Sequence, residues 1–126
     1  MMMQDRSDAL VVFGVTGDLA HKMILPSLYQ MVRRGHFSEP IVGVALDDWN
    51  VEQLAERARD GIAKQFGAVD EAVFAKLKSL FRYIRGDYKN AATFDRLRET
   101  LGPATHPLYY LAIPPSLFET VIQALK

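Results

Sequence analysis

The sequence predicts an α/β protein built on a doubly wound parallel sheet, and three observations carry that prediction. Four short apolar runs rich in Val, Ile and aromatic residues recur at Leu10–Phe13, Ile41–Ala45, Phe81–Ile84 and Leu108–Ile113. Segments with helical spacing of apolar residues separate them, and a glycine-bearing turn stands directly between the first run and the first helical segment. Strands that alternate with helices need crossover connections, and right-handed crossovers leave the strands parallel with helices on both faces. The first strand is expected at the centre, flanked by the second and the fourth.

Taken in order, the first helix carries Leu19, Met23, Ile24, Leu28, Met31 and Val32 on one face and stops at Arg33-Arg34-Gly35, two cations and then glycine. Pro26 falls inside it and lacks an amide hydrogen, so Gly17–Lys22 are expected to form a separate turn, with Pro26 opening the longer helix. Asn50 and Gln53 make a capping box ahead of Leu54, Ala58, Ile62 and Phe66. A third helix begins near Asp70 and buries Val73, Phe74, Leu77 and Leu80. Asn90 caps a fourth, holding Phe94, Leu97 and Leu101 and stopped by Gly102-Pro103, and Pro114-Pro115-Ser116 opens a fifth along Leu117, Val121 and Leu125.

Composition bounds the rest. A chain of 126 residues, 49% hydrophobic and 24% charged with no cysteine, reads as one globular domain and excludes disorder, collagen and a disulfide scaffold. Residues 1–8 are expected as a disordered N-terminus and residues 9–126 as the domain. The chain is small for an enzyme with two substrates, and its fifth helix has no strand after it, so it reads as a fragment of a larger two-domain protein. Fifteen cations balance fifteen anions, which leaves no field to draw nucleic acid or a membrane surface. With no signal peptide, no long apolar window and no cysteine, a cytoplasmic location is expected. His21, His36 and His106 lie far apart, and no metal site is expected.

The chemistry is concentrated in Val11-Val12-Phe13-Gly14-Val15-Thr16-Gly17-Asp18-Leu19-Ala20, where small residues recur every third position between strand and helix. Gly14 lets the chain turn off the strand, Gly17 lets backbone amides approach a pyrophosphate, and Ala20 lets the helix pack close to the sheet. Helix amides and dipole then face the phosphates, as in a Rossmann-like dinucleotide-binding domain. Lys22 is near the nucleotide side of the turn, as a phosphate ligand or as a solvated surface lysine.

Four strings extend this reading. Gly17–Tyr29 (GDLAHKMILPSLY), Ile41–Ala45 (IVGVA), Gly86–Leu97 (GDYKNAATFDRL) and Leu108–Val121 (LYYLAIPPSLFETV) resemble, in the same order and at matching intervals, the N-terminal coenzyme domain of the glucose-6-phosphate dehydrogenase family. The resemblance implies hydride transfer from C1 of glucose 6-phosphate to NADP, giving 6-phosphogluconolactone in the pentose phosphate pathway. It implies that Gly14, Val15, Thr16, Gly17, Asp18, Leu19, Ala20 and His21 surround the coenzyme phosphates, and that Tyr88, Pro114 and Phe118 fall near the nicotinamide half. Tyr88 could equally cap a strand, Phe118 could be core, and the proline pair could be only a helix start.

Three departures from the family pattern matter. Met23 stands where the family often has a functional lysine. Leu46 stands where an arginine commonly pairs with the 2′-phosphate of NADP, and Asp47 and Asp48 follow it, as in folds that bind NAD. NADP is therefore the family expectation and NAD a second candidate, with Arg33 or Arg34 as alternative phosphate partners. The family's Glu-Lys-Pro-Phe-Gly segment and His-Asp pair are not in this chain, so no catalytic residue is expected here, and a C-terminal catalytic domain is the implied partner. Two rival readings are an extended short-chain dehydrogenase or epimerase, for which Tyr109 and Tyr110 lack a lysine four residues on, and a non-catalytic nucleotide-binding module.

Overall fold

The computed structural model describes residues 7–126. Its central strand β1 (Ala9–Phe13) is buried along its whole length, as expected of an unbroken apolar run with covered faces. A π turn (Ala20–Ile24) runs into α1 (Leu25–Arg33), followed by β2 (Ile41–Ala45), α2 (Val51–Phe66), α3 (Glu71–Leu80), β3 (Phe81–Arg85), α4 (Ala91–Leu101), β4 (Pro107–Leu111), a 3₁₀ turn (Pro115–Leu117) and α5 (Phe118–Leu125). The sheet order is β3-β2-β1-β4, and every pairing is parallel. β1 thus lies between β2 and β4, as the alternation predicts.

The helix starts follow the capping chemistry. Asn50 Oδ1 accepts from Gln53 N–H at 2.9 Å while Gln53 Oε1 accepts from Asn50 N–H at 2.9 Å. Asp70 caps α3 through the amides of Ala72 and Val73, and Asn90 caps α4 through Ala92. α1, α2 and α3 cover one face of the sheet, around Leu25, Leu54, Ile62 and Leu77. α4 and α5 cover the other, around Phe13, Phe94, Leu97 and Val121. Among the described residues no helix is long and apolar enough to cross a membrane.

Two expectations need correction. Gly17–Lys22 are not a separate turn: helix begins at Asp18 and continues through the π turn into α1, with Pro26 in the first α turn. Leu25 N–H donates five residues back to Ala20 O. Proline has no amide to donate and its ring crowds the carbonyl four residues earlier, and the wider turn accommodates both. That turn also changes which residues face inward. Ala20, Ile24 and Leu28, with His21, Leu25, Tyr29 and Val32, are buried at a spacing near four, whereas Leu19, Met23 and Met31 are exposed. Of the segment expected as a disordered N-terminus, residues 1–8, the structure describes Asp8, whose carboxylate accepts the amides of Thr105 at 2.7 Å and His106 at 2.8 Å. Residues 1–6 of that segment lie outside the described residues.

Candidate functional site

In a parallel sheet all strands end on the same edge, so the segments after β1, β2, β3 and β4 gather there. Gly14 N–H donates to Val44 O at 2.8 Å, Gly86 N–H to Ala45 O at 2.9 Å and Ala112 N–H to Phe13 O at 2.9 Å, which carries the ladder past each strand end. β2 leaves β1 to one side and β4 arrives on the other. The turn after β1 therefore opens at the topological switch point, where doubly wound sheets form their ligand crevice.

Gly14 has φ +82°, and a Cβ on it would lie 2.2 Å from Ala112 O. No other residue type fits. Gly17 differs, because its φ is not positive and a Cβ would meet only Gly14 O, at 3.2 Å. Its N–H closes the turn onto Gly14 O at 3.0 Å, and His21 N–H makes the first helical bond, to Gly17 O at 3.1 Å. The amides of Asp18, Leu19 and Ala20 precede that first bond and are the donors a helix start leaves for an anion. Ala20 is fully buried. Its helix is drawn against α2 so closely that a Cβ on Gly61 would lie 2.2 Å from His21 O.

His21 is drawn away from the turn, whereas Lys22 stays bonded to it through Asp18. The His21 imidazole is buried, with Nε2 2.5 Å from Asp60 Oδ2 of α2. That bond, with a second from Lys64, holds the Asp60 carboxyl below the usual carboxylate range. Lys22 Nζ pairs with Asp18 Oδ2 at 3.1 Å and lines a groove of about 570 Å³ with Asp18, His21, Arg57 and Lys64. The His21 side chain thus engages α2, and that of Lys22 engages Asp18 of the turn itself.

At the end of β2, Leu46 is exposed and Asp47 is tied to the glycine turn, with Thr16 Oγ1 donating to Asp47 Oδ1 at 2.7 Å. Tyr83 Oη donates to Asp47 O at 2.6 Å. Partial burial, with the Asp47 charge beside it, pushes the Tyr83 phenol up to about 12. Arg33 and Arg34, the alternative phosphate partners, are at the C-terminal end of α1. The helix runs back against the strand, so it carries them about 20 Å toward the opposite edge of the sheet; Arg33 bonds Gln30 there at 3.2 Å. A cation that the sequence reading missed lies nearer. Arg85 Nε donates to Leu46 O at 3.4 Å, and the guanidinium is 3.9 Å from Asp48 Oδ1. β3 extends one residue past the apolar run Phe81–Ile84, and the parallel register pairs Arg85 with Ala45.

Tyr88 is buried beside the same edge, its ring edge-on to Phe13 at 5.8 Å and its hydroxyl donating to Val44 O at 3.2 Å. Burial raises its pKa above the ordinary phenol value. Pro114 follows β4 and accepts from Leu117 N–H at 2.9 Å, and Phe118 opens α5 with its ring partly exposed. Gly14, Thr16, Asp47, Tyr88 and the segment after β4 therefore lie together at this end of the sheet.

Comparison with known proteins identifies the chain's relatives. A family model described as "Glucose-6-phosphate dehydrogenase, NAD binding domain" matches residues 11–126. Glucose-6-phosphate 1-dehydrogenase 1 of Mycobacterium tuberculosis is 44% identical over 94% of this chain and 25% of its own length. The Saccharomyces cerevisiae glucose-6-phosphate 1-dehydrogenase is 32% identical over 97% of this chain and 26% of its own length. The crystal structure of glucose-6-phosphate 1-dehydrogenase from Mycobacterium avium superposes with a TM-score of 0.90 at 44% identity, covering 94% of this chain and 26% of that one. The chain spans about a quarter of the length of these relatives.

Proposed function

The chain belongs to the glucose-6-phosphate dehydrogenase family, as its nicotinamide dinucleotide-binding domain, and from that premise we propose that it holds the coenzyme in the oxidation of glucose 6-phosphate at C1 to 6-phosphogluconolactone. One observation carries the reading: the Gly14–Ala20 turn opens at the switch point and is joined by the Thr16–Asp47 bond to the end of β2, where such folds hold the adenosine ribose. A solved relative described as in complex with its substrate glucose 6-phosphate superposes at a TM-score of 0.87 and 29% identity, which supports that substrate for the longer protein.

The residues fit the coenzyme, since the turn offers the helix-start amides of Asp18, Leu19 and Ala20 and no side chain at Gly14 or Gly17. Val15 and Thr16 complete the phosphate cradle, Asp47 holds the ribose, and Tyr88, Pro114 and Phe118 border the nicotinamide half. His21 acts from behind, through Asp60, by keeping the helix start seated on α2, and Lys22 acts with Asp18 at the rim. When bound, the coenzyme accepts a hydride on its nicotinamide ring. The general base and the sugar-phosphate pocket belong to the part of the family pattern outside this chain, and the catalytic domain that carries them is the partner we propose. The cytoplasmic location and the pentose phosphate pathway come with the family reading.

On coenzyme choice, Leu46 and Asp47 favour weaker discrimination for NADP than the family norm, with NAD also accepted. The test is titration of the protein with each coenzyme, read through its single tryptophan, Trp49, which follows Asp47 by two residues. Gly17→Val should weaken both coenzymes at least ~10-fold with little loss of stability, because the added side chain occupies the approach to the pyrophosphate. Equal affinities in the two proteins would remove the turn from the site. Leu46→Arg should tighten NADP by about 10-fold to 150-fold and leave NAD unchanged. These residues alone should give no turnover of glucose 6-phosphate above a no-protein control.

A further inference from the structure

We propose that Arg85 is the residue that selects for a 2′-phosphate on the coenzyme, supplying from β3 the cation that Leu46 does not. The inference rests on the glycine-turn reading above and concerns a residue which that reading leaves out. Backbone register places it there: Arg85 pairs with Ala45, the residue immediately before Leu46, so the two chains are about 4.8 Å apart at this point. The side chain closes the remaining distance, since its Nε already donates to Leu46 O at 3.4 Å. Its backbone is held by Arg96, which donates to Arg85 O from α4.

The partner that Arg85 now has is replaceable. Asp48 Oδ1 is 3.9 Å away, with Asp48 86% and Arg85 62% exposed, and an ion pair so open to water is weak. A phosphate dianion offers a guanidinium two parallel charge-assisted bonds and displaces such a contact. Asp47 does not compete in the same way, because its side chain is engaged by Thr16 and its carbonyl by Tyr83. The end of β2 thus sets a fastened acid, suited to a free ribose diol, beside an exposed arginine held by a long bond to Leu46 O and a weak pairing with Asp48. Preference between the two coenzymes becomes a contest between Arg85 and the acids around it.

Dissociation constants for NADP and NAD, measured on the protein and on Arg85→Ala, Arg85→Lys, Asp48→Asn and Gly17→Val, test this. Arg85→Ala should weaken NADP about 10-fold and change NAD less than about 2-fold, with Arg85→Lys between wild type and alanine for NADP. Asp48→Asn should tighten NADP by about 3-fold by freeing the guanidinium. Arg85 and Asp48 are both exposed, so the melting temperatures of these three variants should stay near that of the unmutated protein. If Gly17→Val abolishes binding of both coenzymes while Arg85→Ala leaves their ratio unchanged, this inference falls and the glycine-turn reading stands. If the unmutated protein binds neither coenzyme, both fall.

Discussion

β2 and β4 flank the central strand on opposite sides, each five residues long and each paired parallel to β1, yet every residue of β2 is buried and none of β4 is. Beyond β2 lies β3, and the face around α1, α2 and α3 closes over both. β4 is the edge of the described sheet, and α5 beside it buries only Val121. The residue types do not explain the contrast, since Leu108–Ile113 is as continuously apolar as a central strand. What differs is the number of neighbours each strand has. In these 126 residues packing is therefore expected to limit stability on the β2 flank, while the β4 flank tolerates change.

The largest effect should come from the packed flank. Inside a helix Gly→Ala ordinarily gains about 1 kcal/mol, but at Gly61 the new Cβ would meet His21 O at 2.2 Å. Gly61→Ala should therefore lower stability by about 2–3 kcal/mol in urea unfolding. A gain instead would show that the contact between α2 and the π turn is loose and that the two flanks are alike. On the other side, Leu108 is 55% and Tyr110 45% exposed. Leu108→Thr and Tyr110→Thr should each shift stability by no more than about 0.5 kcal/mol. An exposed apolar edge strand is also where another chain adds, so the pair together should reduce light scattering in concentrated solution. A loss as large as that at Gly61 would mean that β4 is already covered.

The smallest effect compares the two acids that fasten these flanks. Asp60 ties α2 to the π turn through His21, and Asp8 ties the approach to β4 back to β1 through the amides of Thr105 and His106. Both carboxyls lie below the ordinary carboxylate value, Asp60 chiefly by the His21 bond and Asp8 chiefly by the Thr105 amide. A carboxyl with a depressed folded pKa contributes its stability above the unfolded pKa and loses it as pH falls through the folded one. Melting temperature should thus drop on acidification from about pH 5 to about pH 2, and Asp8→Asn or Asp60→Asn should flatten part of that drop. An unchanged acid profile in Asp8→Asn would show that its two backbone bonds do not hold β4 in solution.

Much of this was legible in the residues. The alternation of strand and helix, the caps at Asn50, Asp70 and Asn90 and the turn at Gly14 depend on neighbours a few positions apart, and such local chemistry is written in order along the chain. The sequence also placed β1 between β2 and β4, because right-handed crossovers leave few other arrangements. The inward face of the first helix was misread, since a π turn adds width that no α-period count includes. His21 reads as part of a phosphate loop until α2 arrives with Asp60, thirty-nine residues later.

The sequence by itself therefore determined the fold class, the position of the glycine turn after β1 and the family. Each follows from the backbone freedom of particular glycines, from short-range capping and from strings of adjacent residues. Only the tertiary structure decided which side chains share the end of β2. Thr16, Asp47, Tyr83 and Arg85 come from three separate strand ends, and their meeting depends on strand register. Register is set by the packing of whole faces against helices, because a slip of one residue would move every side chain to the opposite face and mismatch both helix layers. No local pattern states that constraint, so Arg85 became visible only once β3 lay beside β2.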